Sequence, residues 1–212
     1  MKRHFESVVS ATAHQPPLKK TAVGGAARTL FRQALLPAPW MGHDDKLIVA
    51  HFGNPSSPIH PGPKIAAFDF DGTLAKTSLF KKGPTEWSTQ FPHVYDVLQC
   101  YHRAGYAIVI FSNEGPIGKC VKIDTIQSAI DSKMGRLSAF AAAAQVPMHV
   151  LVATEKKITT GSVSYRKPAR GMFAYFERIC NKGWLSEQLV DSNIILLIKL
   201  IMFSCSYYTV SL

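Results

Sequence analysis

The sequence predicts an α/β domain built around a parallel β-sheet. Short apolar segments alternate with segments whose apolar residues recur at helical spacing, which is the pattern of strand–helix–strand units. Glycine and proline residues mark the junctions between these segments. Polar residues directly follow two of the apolar segments, as expected where the strands of an open sheet end at a ligand site. The alternation of strands and helices is therefore expected to form a parallel sheet with right-handed crossover connections.

Four segments are predicted to be strands and three to be helices. The predicted strands are 46–52, 64–70, 106–115 and 148–154. The predicted helices are 94–105, 123–144 and 169–180. The segment KIAAFDF at 64–70 is apolar without alternation, which is typical of a strand covered on both faces. The prolines of 53–63 exclude a regular strand, so this segment is predicted to be a loop.

The charge balance of the chain points to a polyanionic partner. Lysine and arginine number 24 against 14 aspartates and glutamates, which gives a formal charge of +10 and favours nucleic acid over a membrane surface. Part of the excess lies in residues 1–45, which are predicted to be a flexible basic leader. Such a leader is compatible with mitochondrial import, and its lysine and arginine pairs are equally compatible with nuclear import. The four widely spaced cysteines fit neither a zinc knuckle nor a small disulfide scaffold.

Two carboxylates, Asp69 and Asp71, lie one residue apart at the end of an apolar strand. Burying such a pair is costly unless its charge is compensated, and a metal ion with a phosphate group would do so. One carboxylate can attack phosphorus and form an aspartyl-phosphate, while the other protonates the leaving oxygen and then activates water. Carboxylate oxygens also suit Mg²⁺. Gly72 lets the backbone turn sharply and come close to a ligand.

Ser112 and Lys167 are candidates for contacts with the same phosphoryl group. A hydroxyl can donate a hydrogen bond to it, and an ammonium group can compensate its charge. Taken singly, each residue has an ordinary structural explanation: Ser112-Asn113 as a turn, and Lys167 as a solvated side chain. A single aspartate after a strand would likewise be a turn former, but that does not explain two acids followed by Gly72 and Thr73.

Three motifs carry a resemblance to a known family. FDFDGTL at 68–74, IVIFSNEGPIG at 108–118 and YRKPARGMF at 165–173 resemble motifs of the haloacid dehalogenase superfamily. Together with GPTEW and LVATEKK, these motif sequences resemble the 3′-phosphatase domain of polynucleotide kinase/phosphatase proteins. The resemblance extends from about residue 47 to about residue 182. The resemblance implies a Rossmannoid three-layer α/β fold with a parallel central sheet and a minimal cap. The domain organisation expected is a leader at 1–45, a phosphatase domain at 46–192 and an apolar tail at 193–212.

The same resemblance implies Mg²⁺-dependent removal of the 3′-phosphate from DNA ends during strand-break repair. It makes Asp69 the nucleophile and a metal ligand, and Asp71 the acid/base whose backbone carbonyl also faces the metal. Lys167 takes part in catalysis as the counter-charge. The implied phosphate-binding residues are Gly72, Thr73, Ser112, Asn113 and Lys167.

The partner expected from the resemblance and from the charge is DNA with a 3′-phosphate end. The residues expected to contact the DNA backbone are Lys81, Lys82, Lys119 and Arg170. We expect a monomer located in the nucleus, or alternatively in the mitochondrion, with a DNA-repair scaffold protein as a further partner and no stable membrane insertion. The sequence contains no G-x-x-x-x-G-K-[ST] loop, so a 5′-kinase activity is not predicted.

The C-terminal tail departs from the family pattern, so its strands are expected to be aberrant. The superfamily has a further strand ending in one or two acids that complete the Mg²⁺ site, whereas no acid follows Asp191 here. Three interpretations of the tail are open. It could be a membrane anchor, which Lys199 disfavours, or a buried strand pair. We favour the third, in which the native reading frame is lost after about Ser192. Asp191 is the remaining candidate ligand. Two alternative functions therefore stay open: a catalytically impaired DNA-end-binding fragment, and a small-molecule phosphatase of the same fold.

Overall fold

The computed structural model describes most of the chain between its two ends. The described residues are 35–53, 65–78, 80, 82–120, 122–158, 160–180 and 194–195. The first 34 residues of the predicted leader, most of the predicted loop at 53–63 and most of the tail lie outside them, as do Lys81 and Asp191.

Eight strands and three helices are described. The strands are β1 (Met41–His43), β2 (Leu47–Phe52), β3 (Ile65–Phe68), β4 (Ala75–Thr77), β5 (Trp87–Thr89), β6 (Ala107–Asn113), β7 (Met148–Ala153) and β8 (Ile194–Ile195). The helices are α1 (Val94–Arg103), α2 (Ile123–Ala144) and α3 (Gly171–Tyr175). A 3₁₀ turn at Ile117–Lys119 follows β6, and a π-helical turn at Phe176–Cys180 follows α3.

Six strands form one sheet in the order β1–β2–β7–β6–β3–β8. The strands β7, β6, β3 and β8 are parallel neighbours, whereas β2 runs antiparallel to both β7 and β1. The predicted parallel sheet is therefore confirmed at the centre and wrong at the β1–β2 edge. The reason is that an apolar segment predicts a strand but carries no information about its direction. The antiparallel pair β4–β5 forms a separate small sheet between β3 and α1.

The predicted boundary between leader and domain lies inside the fold. Trp40 is buried, and its indole N–H donates a hydrogen bond of 2.9 Å to Ser138 Oγ on α2. Its ring packs against Phe52 with the centroids 5.5 Å apart. The next three residues form β1, which pairs with β2 across a short loop. The expected leader at 1–45 is therefore corrected at its end. The segment was missed because β1 owes its conformation to pairing with β2 and has no apolar pattern of its own.

The helices follow the predicted spacing with two changes, in α1 and in α3. Helix α2 has the predicted bounds, and its buried residues recur three or four positions apart, as in Ile126, Ile130, Met134 and Leu137. Helix α1 is two residues shorter than the predicted 94–105. The helix predicted at 169–180 is α3 followed by the π-helical turn.

Two hydrophobic clusters cover the two faces of the sheet. Successive strand residues point to opposite faces. Ala66 and Phe68 of β3 therefore belong to the cluster that includes residues of α1 and α2, and Ile65 and Ala67 to the cluster that includes α3. The predicted three-layer α/β arrangement is confirmed. Asp69 directly follows β3, and Asn113 is the last residue of β6. Because β3 and β6 are parallel, both residues lie at the same edge of the sheet.

The beginning of the predicted tail contributes to the sheet. Ile194 and Ile195 form β8, which pairs in parallel with Ile65 and Ala66 of β3. These two residues were expected to lie beyond the phosphatase domain, and instead they form its edge strand. No helix in the described part of the chain has the length and apolar character needed to cross a membrane.

Candidate active site

The loop after β3 presents its two aspartates through a tight turn. The carbonyl oxygen of Phe70 accepts hydrogen bonds from the N–H groups of Leu74 and Ala75, both at 3.0 Å. Gly72 lies inside this turn with φ of 73°, a conformation that favours glycine, and its N–H donates to Ala75 O at 2.8 Å. Asp69 Oδ1 accepts a hydrogen bond of 2.9 Å from the Phe70 N–H, which fixes one oxygen of this carboxylate.

Lys167 lies against Asp69, although 98 positions separate them in the sequence. Its Nζ is 2.6 Å from Asp69 Oδ1 and also donates a hydrogen bond of 2.6 Å to the carbonyl oxygen of Phe111. The ammonium group therefore joins the end of β3 to β6. The first aspartate of the motif thus has a cation in direct contact.

Asn113 holds the backbone of Lys167. Its Nδ2 donates to Lys167 O at 3.2 Å, and its Oδ1 accepts from the Lys167 N–H at 3.0 Å. The side-chain amide is thus used at both ends to position the lysine. The predicted contact of Asn113 with phosphate stays a prediction, and the geometry gives this residue a positioning role.

Asp71 is held by three donors from three different elements. Its Oδ1 accepts a hydrogen bond of 2.9 Å from Thr77 Oγ1, and its Oδ2 accepts one of 3.3 Å from Ser112 Oγ. Lys133 Nζ forms an ion pair with the same Oδ2. Burial alone would raise the pKa of Asp71, but the charge of Lys133 and the three hydrogen bonds outweigh burial and hold this pKa below its usual value. The Asp71 carboxylate is therefore ionised at neutral pH.

Lys133 and Glu114 are members of the site that the sequence motifs did not predict. The Lys133 side chain is only 3% exposed, and its Nζ is 3.4 Å from Glu114 Oε2. Burial and the negative charge of Asp71 raise the pKa of Glu114 against the opposing effect of Lys133. The sequence did contain a signal for the lysine. It lies three residues after the buried Ile130 in α2, so helical spacing places it on the core-facing side.

Glu155 is a third residue that the sequence analysis did not assign to the site, and it lies two residues after β7. It is 8% exposed, and its Oε2 accepts hydrogen bonds from Ser164 Oγ at 3.0 Å, Tyr165 N at 2.6 Å and Arg166 N at 3.2 Å. This carboxylate organises the loop that leads directly into Lys167. A polar residue just beyond a third parallel strand was the available signal.

A cavity of about 570 Å³ opens beside Asp71. Its lining includes Gly72, Asn113 and three basic residues, Lys82, Lys133 and Arg136. Three side chains predicted to contact the sugar–phosphate backbone are exposed, namely Lys82 at this cavity, Lys119 after β6 and Arg170 just before α3. Thr73, predicted to bind phosphate, is buried and is not part of the lining.

The described residues offer oxygen ligands but no ready-made metal cluster. Among them, no group of three or more His, Cys, Asp or Glu side chains lies together in a way that would hold an ion. The hydrogen bonds and the ion pair of Asp69 within the described residues all use Oδ1, so its other oxygen is available. Mg²⁺ is bound through one or two carboxylates with water and substrate phosphate completing its shell. The donor set therefore fits Mg²⁺ in the presence of a phosphate ligand.

Comparisons with known proteins identify the family of this chain. The family model described as polynucleotide kinase 3 phosphatase matches residues 64–195. The polynucleotide 3′-phosphatase ZDP of Arabidopsis thaliana is 35% identical over 157 residues, which are 72% of this chain and 22% of the relative. The bifunctional polynucleotide phosphatase/kinase of Schizosaccharomyces pombe is 28% identical over 142 residues, 66% of this chain and 31% of the relative. The chain thus spans between about a fifth and a third of the length of these relatives.

A solved structure agrees on the fold. A HAD-like phosphatase from Mesorhizobium loti superposes with a TM-score of 0.51 over 66% of this chain and 67% of the other, at 18% identity. The haloacid dehalogenase-like fold implied by the three motifs is confirmed. Since the family model matches 64–195 of the 212 residues and includes all three motifs, the chain belongs to the polynucleotide kinase 3 phosphatase family.

Proposed function

We propose that this chain is a polynucleotide 3′-phosphatase that removes the 3′-phosphate from DNA ends during strand-break repair. The observation that carries the proposal is the contact of 2.6 Å between Lys167 Nζ and Asp69 Oδ1, beside the buttressed Asp71. This arrangement offers a nucleophile, a counter-charge and an acid/base at one edge of the sheet. Membership in the polynucleotide kinase 3 phosphatase family supports the substrate class.

The reaction proceeds in two steps. A carboxylate oxygen of Asp69 attacks phosphorus to form an aspartyl-phosphate, the bond from phosphorus to the 3′ oxygen breaks, and that oxygen takes a proton from Asp71. Asp71 then takes a proton from water, which attacks the aspartyl-phosphate and releases inorganic phosphate. Asp71 is ionised before substrate binds and takes its first proton from solvent, because the incoming phosphate adds negative charge beside it and opposes the effect of Lys133. Lys167 compensates the charge that develops on the phosphoryl group.

Mg²⁺ would be held by the Asp69 carboxylate and the Asp71 carbonyl, with Asp191 as a further candidate ligand. When bound, this ion supplies charge neutralisation at the phosphoryl oxygens. Within the chain itself, the hydrogen bond from the Phe70 N–H and the contact with Lys167 keep Asp69 oriented.

DNA contact is supported by the distribution of basic side chains around the cavity. Lys82 and Arg136 line it, and Lys119 and Arg170 are exposed on segments that follow β6 and Lys167. Backbone phosphates are bound by such side chains without regard to base sequence. The proposed location is the nucleus, with the mitochondrion as the alternative. The chain acts as a monomer with a DNA-repair scaffold protein as a further partner.

The test is single-turnover phosphate release from a 5′-labelled oligonucleotide that ends in a 3′-phosphate, with Mg²⁺ present. Asp69→Asn should abolish release, because the amide cannot attack phosphorus while its size is nearly unchanged. Asp96→Asn is the matched control, since Asp96 is exposed at the start of α1 and should leave the rate unchanged. Release by Asp69→Asn at the rate of the unmodified chain would contradict the covalent mechanism.

Two outcomes of the same assay would indicate the alternative functions. Tight binding of the oligonucleotide without phosphate release would indicate an end-binding fragment. Release from a small phosphate ester that excess 3′-phosphate DNA does not inhibit would indicate a small-molecule phosphatase.

A further inference from the structure

Lys133 is the buried charge at the site that the two-step mechanism leaves without a role. It lies on α2 and is 3% exposed, with its ammonium group between Asp71 and Glu114. The same Nζ lies over the ring of the buried Phe70, 5.0 Å from its centroid, which is a cation–π contact. A lysine this deeply buried requires such partners, because an unpaired ammonium group in a protein interior is strongly destabilising.

The contacts of Asp71 identify what Lys133 contributes. Thr77 and Ser112 each donate a neutral hydroxyl hydrogen bond, whereas Lys133 is the charged donor. Charge-assisted hydrogen bonds are about twice as strong as neutral ones. Lys133 therefore dominates the orientation of the carboxylate, and Glu114 holds Lys133 from the other side at 3.4 Å.

We propose that Lys133 is a positioning residue that fixes the Asp71 carboxylate where it meets the leaving 3′ oxygen, with Glu114 as its anchor. This inference rests on the proposed function. It assigns the role to a side chain outside the three motifs, on the helix that covers one face of the sheet. A displacement of about 1 Å in a catalytic group can reduce a rate by about 10²-fold.

The test compares two substrates that differ in their need for an acid. A 3′-phosphate oligonucleotide has an alkoxide leaving group that needs a proton, whereas p-nitrophenyl phosphate releases a phenolate that is stable without one. Lys133→Met should slow single-turnover release from the oligonucleotide by about 10²-fold, with little change in KM, and should slow release from p-nitrophenyl phosphate much less. Lys122→Met is the control, because Lys122 is exposed at the beginning of the same helix.

A double variant distinguishes positioning from general damage to the fold. Lys133→Met combined with Asp71→Asn should be no slower than Asp71→Asn alone, because Lys133 acts through Asp71. If Lys133→Met does not fold, as judged by circular dichroism and thermal unfolding, Glu114→Gln takes its place. That variant keeps the lysine but weakens its anchor, so a loss of about 10-fold with the same substrate pattern is expected.

Each remaining outcome overturns one statement. Equal losses on both substrates, additive losses in the double variant, or an unchanged rate with the oligonucleotide would overturn the role of Lys133 alone. Failure of the unmodified chain to release phosphate from either substrate would overturn the proposed function, and this inference with it. Release from p-nitrophenyl phosphate but not from DNA would overturn the DNA substrate, and β-glycerophosphate would then serve as the alkyl phosphate in the same comparison.

Discussion

Glu155→Gln probes the carboxylate that supports the Lys167 loop. The change is nearly isosteric but removes the negative charge of Glu155. That carboxylate accepts hydrogen bonds from the Ser164 hydroxyl and from the backbone N–H groups of Tyr165 and Arg166. It also removes the ion pair in which Lys46 Nζ lies 3.6 Å from Glu155 Oε1. The site is buried, so water cannot easily replace the lost interactions.

The magnitude follows from the number and type of these contacts. Hydrogen bonds to a charged acceptor each contribute about 1.5–3 kcal/mol, and neutral ones about 0.5–1.5 kcal/mol. All three donors bind Glu155 Oε2, and the amide oxygen of glutamine can take that position, so the loss is the difference between the two types over three bonds. That difference is about 1–1.5 kcal/mol per bond, so the free energy of unfolding should fall by about 3–4.5 kcal/mol. Phosphate release should fall by about 10²-fold if Lys167 shifts by about 1 Å.

The assay combines urea unfolding with single-turnover release from the 3′-phosphate oligonucleotide. Glu177→Gln is the control, because Glu177 is partly exposed on the π-helical turn and makes no hydrogen bond or ion pair with the other described residues. If Glu155→Gln unfolds at the same urea concentration as the control and releases phosphate at the same rate, the carboxylate does not position the loop.

Two other predictions concern salt and pH. Oligonucleotide affinity, measured with the Asp69→Asn variant, should fall as the salt concentration rises. The slope of log affinity against log salt should be ~0.9 per contacted phosphate on a duplex, and Lys82→Ala, Lys119→Ala or Arg170→Ala should each reduce that slope. Salt-independent binding would contradict DNA contact. Burial, with the nearby His51, lowers the pKa of the 9% exposed His149 to about 3, so the fold favours its neutral form. This stability is fully present above the unfolded pKa of 6.5 and is lost as the pH falls toward 3, by ~2 kcal/mol between pH 7 and pH 4.5. Urea unfolding at both pH values should show a smaller loss for His149→Leu than for the exposed control His93→Asn, and equal losses would refute the assignment to His149.

The sequence was sufficient where one local pattern determines the structure. The bounds of α2 were predicted because apolar residues recur at helical spacing over its whole length. The meeting of Asp69 with Lys167 was expected because the resemblance assigns both residues to one phosphoryl group, and the observed contact brings them together.

The features that the sequence did not reveal depend on partners distant in the chain. Strand β2 runs antiparallel because it adds to the far side of β7, and no property of LIVAHF specifies that side. The role of Asn113 depends on the backbone of Lys167, 54 positions away. The local sequence does not distinguish Lys133 from an exposed lysine in a helix. Its position on the buried face of α2 does, because a buried charge requires a partner.

The two aspartates each have their own cation, and this pairing determines what a substrate must change. Lys167 contacts Asp69, and Lys133 contacts Asp71 and Glu114, so the charges at the site are largely balanced before phosphate arrives. A phosphate dianion entering this site adds negative charge that these two lysines already share with carboxylates. In the proposed mechanism, the basic cavity lining and a divalent cation at Asp69 would supply further positive charge. In the proposed mechanism, the same balance lets Asp71 alternate between acid and base. Its partner Lys133 favours the ionised form, the phosphate opposes it, and the departure of phosphate restores the initial state.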